Sequence, residues 1–178
     1  PRGVQSAIVT SRLPGWEATR FWMLARPLSG FAETFSHYLM EVAPGGGSDA
    51  PEPDAAAEGA LFVTHGQVAL VLPGGAHGLG PGGFAYLPPG AAWRLRAEGP
   101  EPARFHWLRK RWQPAPGLAP PEAHVTSDAA CAPVAMPDTE GRWATTLFMD
   151  PEDLRHDMHV TIVTFEPGGT IPFEETHV

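Results

Sequence analysis

The chain has 178 residues and a single cysteine, Cys131, so no intrachain disulfide framework is available to it. Cys131 lies in a Pro/Ala stretch with no histidine pattern nearby and reads as a bystander, not a nucleophile. Basic residues are few and scattered: 12 Lys and Arg stand against 20 Asp and Glu, for a net charge of −8. An acidic chain without a basic face excludes nucleic acid as the expected partner. The one short basic run, Arg109, Lys110 and Arg111, reads as a solvated strand end. No apolar run approaches the ~18 residues of a membrane helix, and no charged-then-apolar N-terminal segment occurs. The expectation is a soluble, cytoplasmic protein without a membrane partner, whose low cysteine content suits a reducing compartment. Helix signals are nearly absent.

What the chain does contain is glycine and proline, 20 and 21 residues, interleaved with compact apolar runs in a composition that is 43% apolar. That favours a β-rich globular protein with many turns over disorder. The clearest strand segments are Phe21–Ala25, Glu33–Val42, Ala60–Thr64, Gln67–Leu72, Gly83–Leu87, Trp93–Ala97 and Arg104–Leu108. Turn signals separate them at Pro44–Gly47, Pro73–Gly75, Pro81–Gly83, Pro88–Gly90 and Gly99–Pro102, and His65-Gly66 falls where a hairpin turn is expected.

Residues 113–142 break this rhythm with Pro114, Pro116, Pro120, Pro121, Pro133 and Pro137, and read as a long connection stiffened by proline. Strand signals resume at Trp143–Phe148 and His159–Phe165, with Asp150–Arg155 as a single helical turn opened by Asp150-Pro151. Residues 38–47 and 160–169 also rhyme, each an apolar strand closing on proline and glycine. A unit recurring after about 120 residues points to a duplicated β domain.

Spacing then becomes specific. Gly82, five residues, Pro88-Pro89-Gly90, two residues and Trp93 resemble the second sequence motif of the cupins, with Trp93 where that motif carries histidine. Counting back from Gly66 through the first cupin motif puts Gly59 at the glutamate position and Pro53 and Ala55 at the histidine pair. In such a motif imidazoles and a carboxylate converge in the mouth of a small barrel to hold a divalent metal. None of these four residues can do so. An apolar ligand pocket lined by Trp93 is the functional alternative to a purely structural barrel. His37, His65, His77 and His106 share no ligand spacing and read as structural. The tryptophans at 16, 22, 93, 107, 112 and 143 read as core or interface.

From Gly169 the count of the first cupin motif fits a second time: five residues, then Glu175-Thr176-His177. Alternation along a strand points Glu175 and His177 to one face, and such donors suit manganese or a similar divalent ion. Taken alone, the pair is equally a polar strand end. Beyond the motifs, residues 13–48, 84–96, 104–110 and 150–178 resemble the (S)-ureidoglycine aminohydrolases.

That resemblance implies an all-β fold, the cupin double-stranded β-helix or jelly-roll barrel, arranged as a bicupin whose second barrel is incomplete in this chain. The organisation expected is an N-terminal arm at 1–25, an N-terminal barrel at 26–112 with its metal ligands lost, the Pro-rich connection at 113–142, and the first strands of a C-terminal barrel at 143–178. It further implies a C–N hydrolase that takes (S)-ureidoglycine to (S)-ureidoglycolate and ammonia in allantoin and purine breakdown, with one Mn2+ held by Glu, two His and Gln. Glu175 and His177 match the first two of those ligands. The other ligands and the catalytic groups would lie past Val178, so a chain continuing beyond it is expected, as is a homo-oligomer. Two other readings stay open: a non-catalytic bicupin that binds a small molecule, and another metal-dependent cupin enzyme such as a dioxygenase or isomerase.

Overall fold

The structure is a computed structural model, and it describes residues 13–26, 34–137 and 139–171. Twelve strands run in chain order among these residues: β1 (Glu17–Ala25), β2 (Phe35–Ser48), β3 (Ala57–His65), β4 (Gln67–Leu72), β5 (Gly75–Leu79), β6 (Gly83–Leu87), β7 (Arg94–Glu98), β8 (Ala103–Arg111), β9 (His124–Ser127), β10 (Val134–Ala135), β11 (Trp143–Leu147) and β12 (Thr161–Phe165). The only helical element described is a 3-10 turn at Asp128–Ala130.

The first nine strands form one antiparallel sheet in the order β5-β4-β7-β2-β8-β3-β6-β9, with β1 also paired to β2. It curls into a nearly closed barrel, the expected cupin jelly roll. The pleat sets the interior: Tyr38, Met40 and Val42 on β2 face the same way as Phe105 and Trp107 on β8, because the register pairs Tyr38 with Trp107 and Met40 with Phe105. Leu61 and Val63, Val68 and Leu70, and Ala85 and Leu87 complete this core. β10, β11 and β12 form a separate three-stranded sheet.

The alternate residues of β3 and β6 point out of the barrel yet are also buried. Phe148, Met149 and Met158 cover Ala60, Phe84 and Tyr86 there, with Phe148 stacked on Phe84 at 4.4 Å between ring centres. The stretch from 148 to 162 is therefore a clamp across the outer wall of the first barrel. Every residue of β6 is buried as a result.

Several local expectations change. Pro44–Gly47 is not a turn between strands but a bend inside β2, which passes the strand from β1 and β8 to β7 through the pairs Gly47–Arg96 and Ser48–Leu95. His65-Gly66 is a corner, not a hairpin turn: β3 pairs with β6 and β8, whereas β4 pairs with β5 and β7. Gly66 has φ +69, and a Cβ there would lie 2.6 Å from the Pro102 carbonyl oxygen, so only glycine fits the corner. Asp150–Arg155 forms turns instead of a helical turn. The Asp150 and Asp153 carboxylates accept the N–H groups of Glu152 and Arg155, competing with helical bonding.

Of the basic run at the end of β8, Arg111 is solvated as expected, whereas Arg109 and Lys110 are half-buried. Arg109 binds Glu52, Lys110 binds Asp157 at 2.9 Å with its side chain only 13% exposed, and Arg111 binds Asp54. Residues 16–25 lie against the barrel, with Trp16 and Phe21 in its core.

Phe105 is fully buried in the barrel core, whereas Val163 on β12 is 42% exposed. Phe105→Ala should lower stability by about 3–5 kcal/mol and Val163→Ala by no more than about 0.5 kcal/mol. Urea unfolding followed by tryptophan fluorescence checks both, and equal effects would contradict the inside–outside assignment.

Candidate functional site

The four residues at the ligand positions of the first barrel meet. Pro53, Ala55 and Gly59 come from the end of the β2–β3 connection and from β3, Trp93 from just before β7. All four line one cavity of about 130 Å³, closed on the inside by Leu87 and Trp107. The four positions picked out by motif spacing thus come together in space, and none of them carries a metal donor. Behind it the space is filled with aromatic rings. Trp107 lies 5.5 Å from Trp16 and 6.0 Å from Trp93 between ring centres, and Trp16 also touches Phe105. A Cβ on Gly59 would lie 3.3 Å from Trp107 Nε1, so a longer side chain there would have to displace the indole.

The carboxylates at the cavity mouth are already engaged. Glu52 accepts from Arg109 Nε at 2.6 Å, and Asp54 accepts from Arg111 Nε at 2.8 Å. Arg109 also sits over the Trp107 ring at 5.5 Å. Among the described residues no group of three or more His, Cys, Asp or Glu is arranged to hold a metal ion. A divalent cation does not fit the first barrel. A second hollow of about 390 Å³ opens beside Trp93, with Val71, Leu72, Pro73 and Ala91 as its apolar lining and Asp49, Glu52 and Arg94 as its charged lining.

Glu175 and His177 lie outside the described residues. The turn that leads toward them is described. Glu166 N–H donates to the Arg142 carbonyl at 2.9 Å, and Gly169 N–H donates to the Glu166 carbonyl at 2.7 Å. A Cβ on Gly169 would stand 2.6 Å from the Arg142 carbonyl oxygen. The glycine from which the second motif is counted is thus demanded by a close backbone approach.

One pair of histidines escaped the sequence reading. His37 on β2 and His106 on β8 face each other on the outer side of the sheet, with His37 Nε2 and His106 Nδ1 2.8 Å apart. They are 69 residues apart in sequence, and only the strand register brings them together. Burial, then the neighbouring His106, pushes His37 down to about 4, and burial lowers His106 as well. One neutral ring donates to the other.

Comparison with known proteins comes last. Residues 38–109 match the Cupin domain family, Cupin_2. The chain is 27% identical over 173 residues to (S)-ureidoglycine aminohydrolase of Escherichia coli (strain K12), an alignment covering 96% of this chain and 64% of that protein. A crystal structure from Pseudomonas aeruginosa, described as a glyoxylate-induced protein, superposes with a TM-score of 0.92 at 57% identity, covering 100% of this chain and 66% of that one. The E. coli protein Ylba superposes with a TM-score of 0.83 at 24% identity and shares the fold. The chain thus spans slightly less than two thirds of the first two relatives.

The histidine pair makes stability depend on acid pH with a definite sign. In the unfolded chain His37 takes up a proton near its ordinary value of 6.5, whereas in the folded chain it does so only near 4. Between those values the unfolded state binds more protons, so stability falls as pH drops from about 6.5 toward about 4. As pH drops across that window, the urea midpoint of the native sequence should fall relative to that of His37→Phe. Equal slopes for the two proteins would remove the pair as the cause.

Proposed function

We propose that this chain, whose residues 38–109 match the Cupin domain family and which is similar to (S)-ureidoglycine aminohydrolase along 96% of its length, belongs to a protein that hydrolyses (S)-ureidoglycine to (S)-ureidoglycolate and ammonia with Mn2+. The observation that carries this reading is the extent of the likeness: 96% of the chain aligns with the E. coli aminohydrolase, not the barrel alone. (S)-Ureidoglycolate is chemically an adduct of urea and glyoxylate, so a relative described as glyoxylate-induced is consistent with the same chemistry.

In this reading the first barrel does no chemistry, because Pro53, Ala55, Gly59 and Trp93 offer no donors. Glu175 and His177 are the residues of this chain that would hold the metal. An i, i+2 spacing would put both on one face of a strand. When bound, Mn2+ would supply Lewis-acid polarisation and a template for the substrate. Glu175 must be ionised and His177 neutral to bind it, so affinity falls in acid. The homo-oligomer belongs to the same proposal: among the described residues β1 pairs only with β2, and such an edge is suited to pairing with another subunit. A non-catalytic small-molecule binder is the second reading, favoured by the two hollows that flank Trp93.

Ammonia release from freshly prepared (S)-ureidoglycine, measured on chelator-treated protein before and after Mn2+ is added, distinguishes these. Activity should return only with Mn2+. Glu175→Ala should lower it by at least about 100-fold with an unchanged circular dichroism spectrum. Release independent of metal, or activity persisting at about pH 4, would defeat the aminohydrolase reading.

A further inference from the structure

We propose that Glu58 of β3 and Asp157 share a single proton, and that this carboxyl pair is a pH-sensitive latch holding residues 148–162 against the outer wall of the first barrel. The inference rests on the geometry of the described residues and not on the aminohydrolase reading.

Glu58 is 1% exposed and points out of the barrel, under the clamp. Its Oε2 accepts the Tyr86 hydroxyl at 2.7 Å. Its Oε1 is buried with no donor near it, and Asp157 Oδ1, across from it, is also buried without one. Two buried acceptors without a donor are both satisfied by one proton placed between them, and the two carboxyl groups are close enough to act on each other. The other oxygen of Asp157 is saturated: Oδ2 accepts from Lys110 Nζ at 2.9 Å and from the Gln113 N–H at 2.7 Å. The proton therefore belongs on Glu58, which donates to an ionised Asp157.

The remaining groups around the pair set its response. β6 contributes Tyr86, β8 contributes Lys110, and the clamp contributes Asp153, Arg155 and His156, with His156 edge-on to Tyr86 at 4.8 Å. His124 on β9 faces His156. Asp153 is tied to Arg155, and burial lowers His156, which stays neutral near pH 7. Among the described residues, Lys110 is thus the cation that the two carboxyls share. Once Glu58 ionises, two negative charges share it in a buried site, and the bond across the clamp becomes a repulsion. Burial, followed by the bond to Asp157, raises Glu58 to about 8 from 4.5. The folded chain keeps a proton there that the unfolded chain releases, so the latch weakens as pH rises from about 4.5 to about 8, and its contribution is gone above that range.

The same clamp carries the Lys110 bond to the Asp157 carbonyl and the Trp112 bond to the Arg155 carbonyl, and it runs directly into β12. Releasing it frees the strand that leads to Gly169 and the second motif. The latch thereby joins the two halves of the chain.

Hydrogen exchange of residues 148–162, corrected for the intrinsic rise of exchange with pH, tests this from about pH 5 to about pH 10. An opening that releases one proton should cost protection approaching tenfold per pH unit between about 5 and about 8 in the native sequence, and the loss should level off above about 8. Glu58→Gln keeps a donor toward Asp157 and an acceptor for Tyr86 but cannot ionise, so its protection should stay flat. Tyr86→Phe removes a donor that favours ionised Glu58 and should carry the loss of protection to higher pH before it levels off, which serves if Glu58→Gln folds poorly. Flat protection in the native sequence, or an identical loss in Glu58→Gln, would overturn the latch.

Discussion

Strands β3 and β6 are covered on both faces, and much of this structure follows from that. Inside, the barrel closes on Met40, Leu61, Phe105 and Trp107. Outside, Phe148, Met149 and Met158 close over Ala60, Phe84 and Tyr86. A strand buried twice cannot alternate apolar and polar residues, which is why β6 reads as an unbroken run from Gly83 to Leu87. Charges caught between the layers then need partners. Glu58 is buried beneath the clamp, and Lys110 and Asp157 form an ion pair in which both side chains are largely enclosed. Leaving any one of them alone would cost far more than an exposed pair contributes.

Where a strand carries its own pattern, sequence located it well: Gln67–Leu72 and Gly83–Leu87 have the expected limits. β5 was missed because Gly75, Ala76, His77 and Gly78 present no apolar alternation, and it exists by pairing with β4. β9 was hidden in the Pro-rich connection and is a strand because Gly83–Tyr86 offers it a free edge. The bend at Pro44–Gly47 looks like a turn locally. Gly45 at φ +74 and Gly47 at φ +141 let the chain stay in the sheet while changing partners. In each case pairing with a distant strand overrode the local signal.

The candidate sites divide along the same line. Pro53, Ala55, Gly59 and Trp93 could be found because a motif fixes their spacing relative to Gly66 and Gly82 along the chain. No motif joins His37 to His106 or Glu58 to Asp157. Their meeting depends on register in one case and on the folding back of residues 148–162 in the other. Both pairs are also titratable, and their pH windows oppose each other: the histidines favour the fold toward neutral pH, the carboxyl pair favours it toward acid.

The first barrel illustrates what the loss of a metal site requires. Removing ligands alone would leave a wet polar hollow in the middle of an apolar barrel. Here the same positions are small or apolar, and Trp16, brought in by the chain ahead of β1, packs with Trp93, Phe105 and Trp107 behind them. Aromatic rings in such tilted and edge-on contacts add to the area they bury. Returning histidines to 53, 55 and 93 and glutamate to 59 would therefore not recreate a metal centre. The glutamate would meet the Trp107 indole, and Trp16 would still occupy the interior. On the proposed reading, chemistry that depends on a metal lies outside the first barrel, whose outer wall holds residues 148–162 in place.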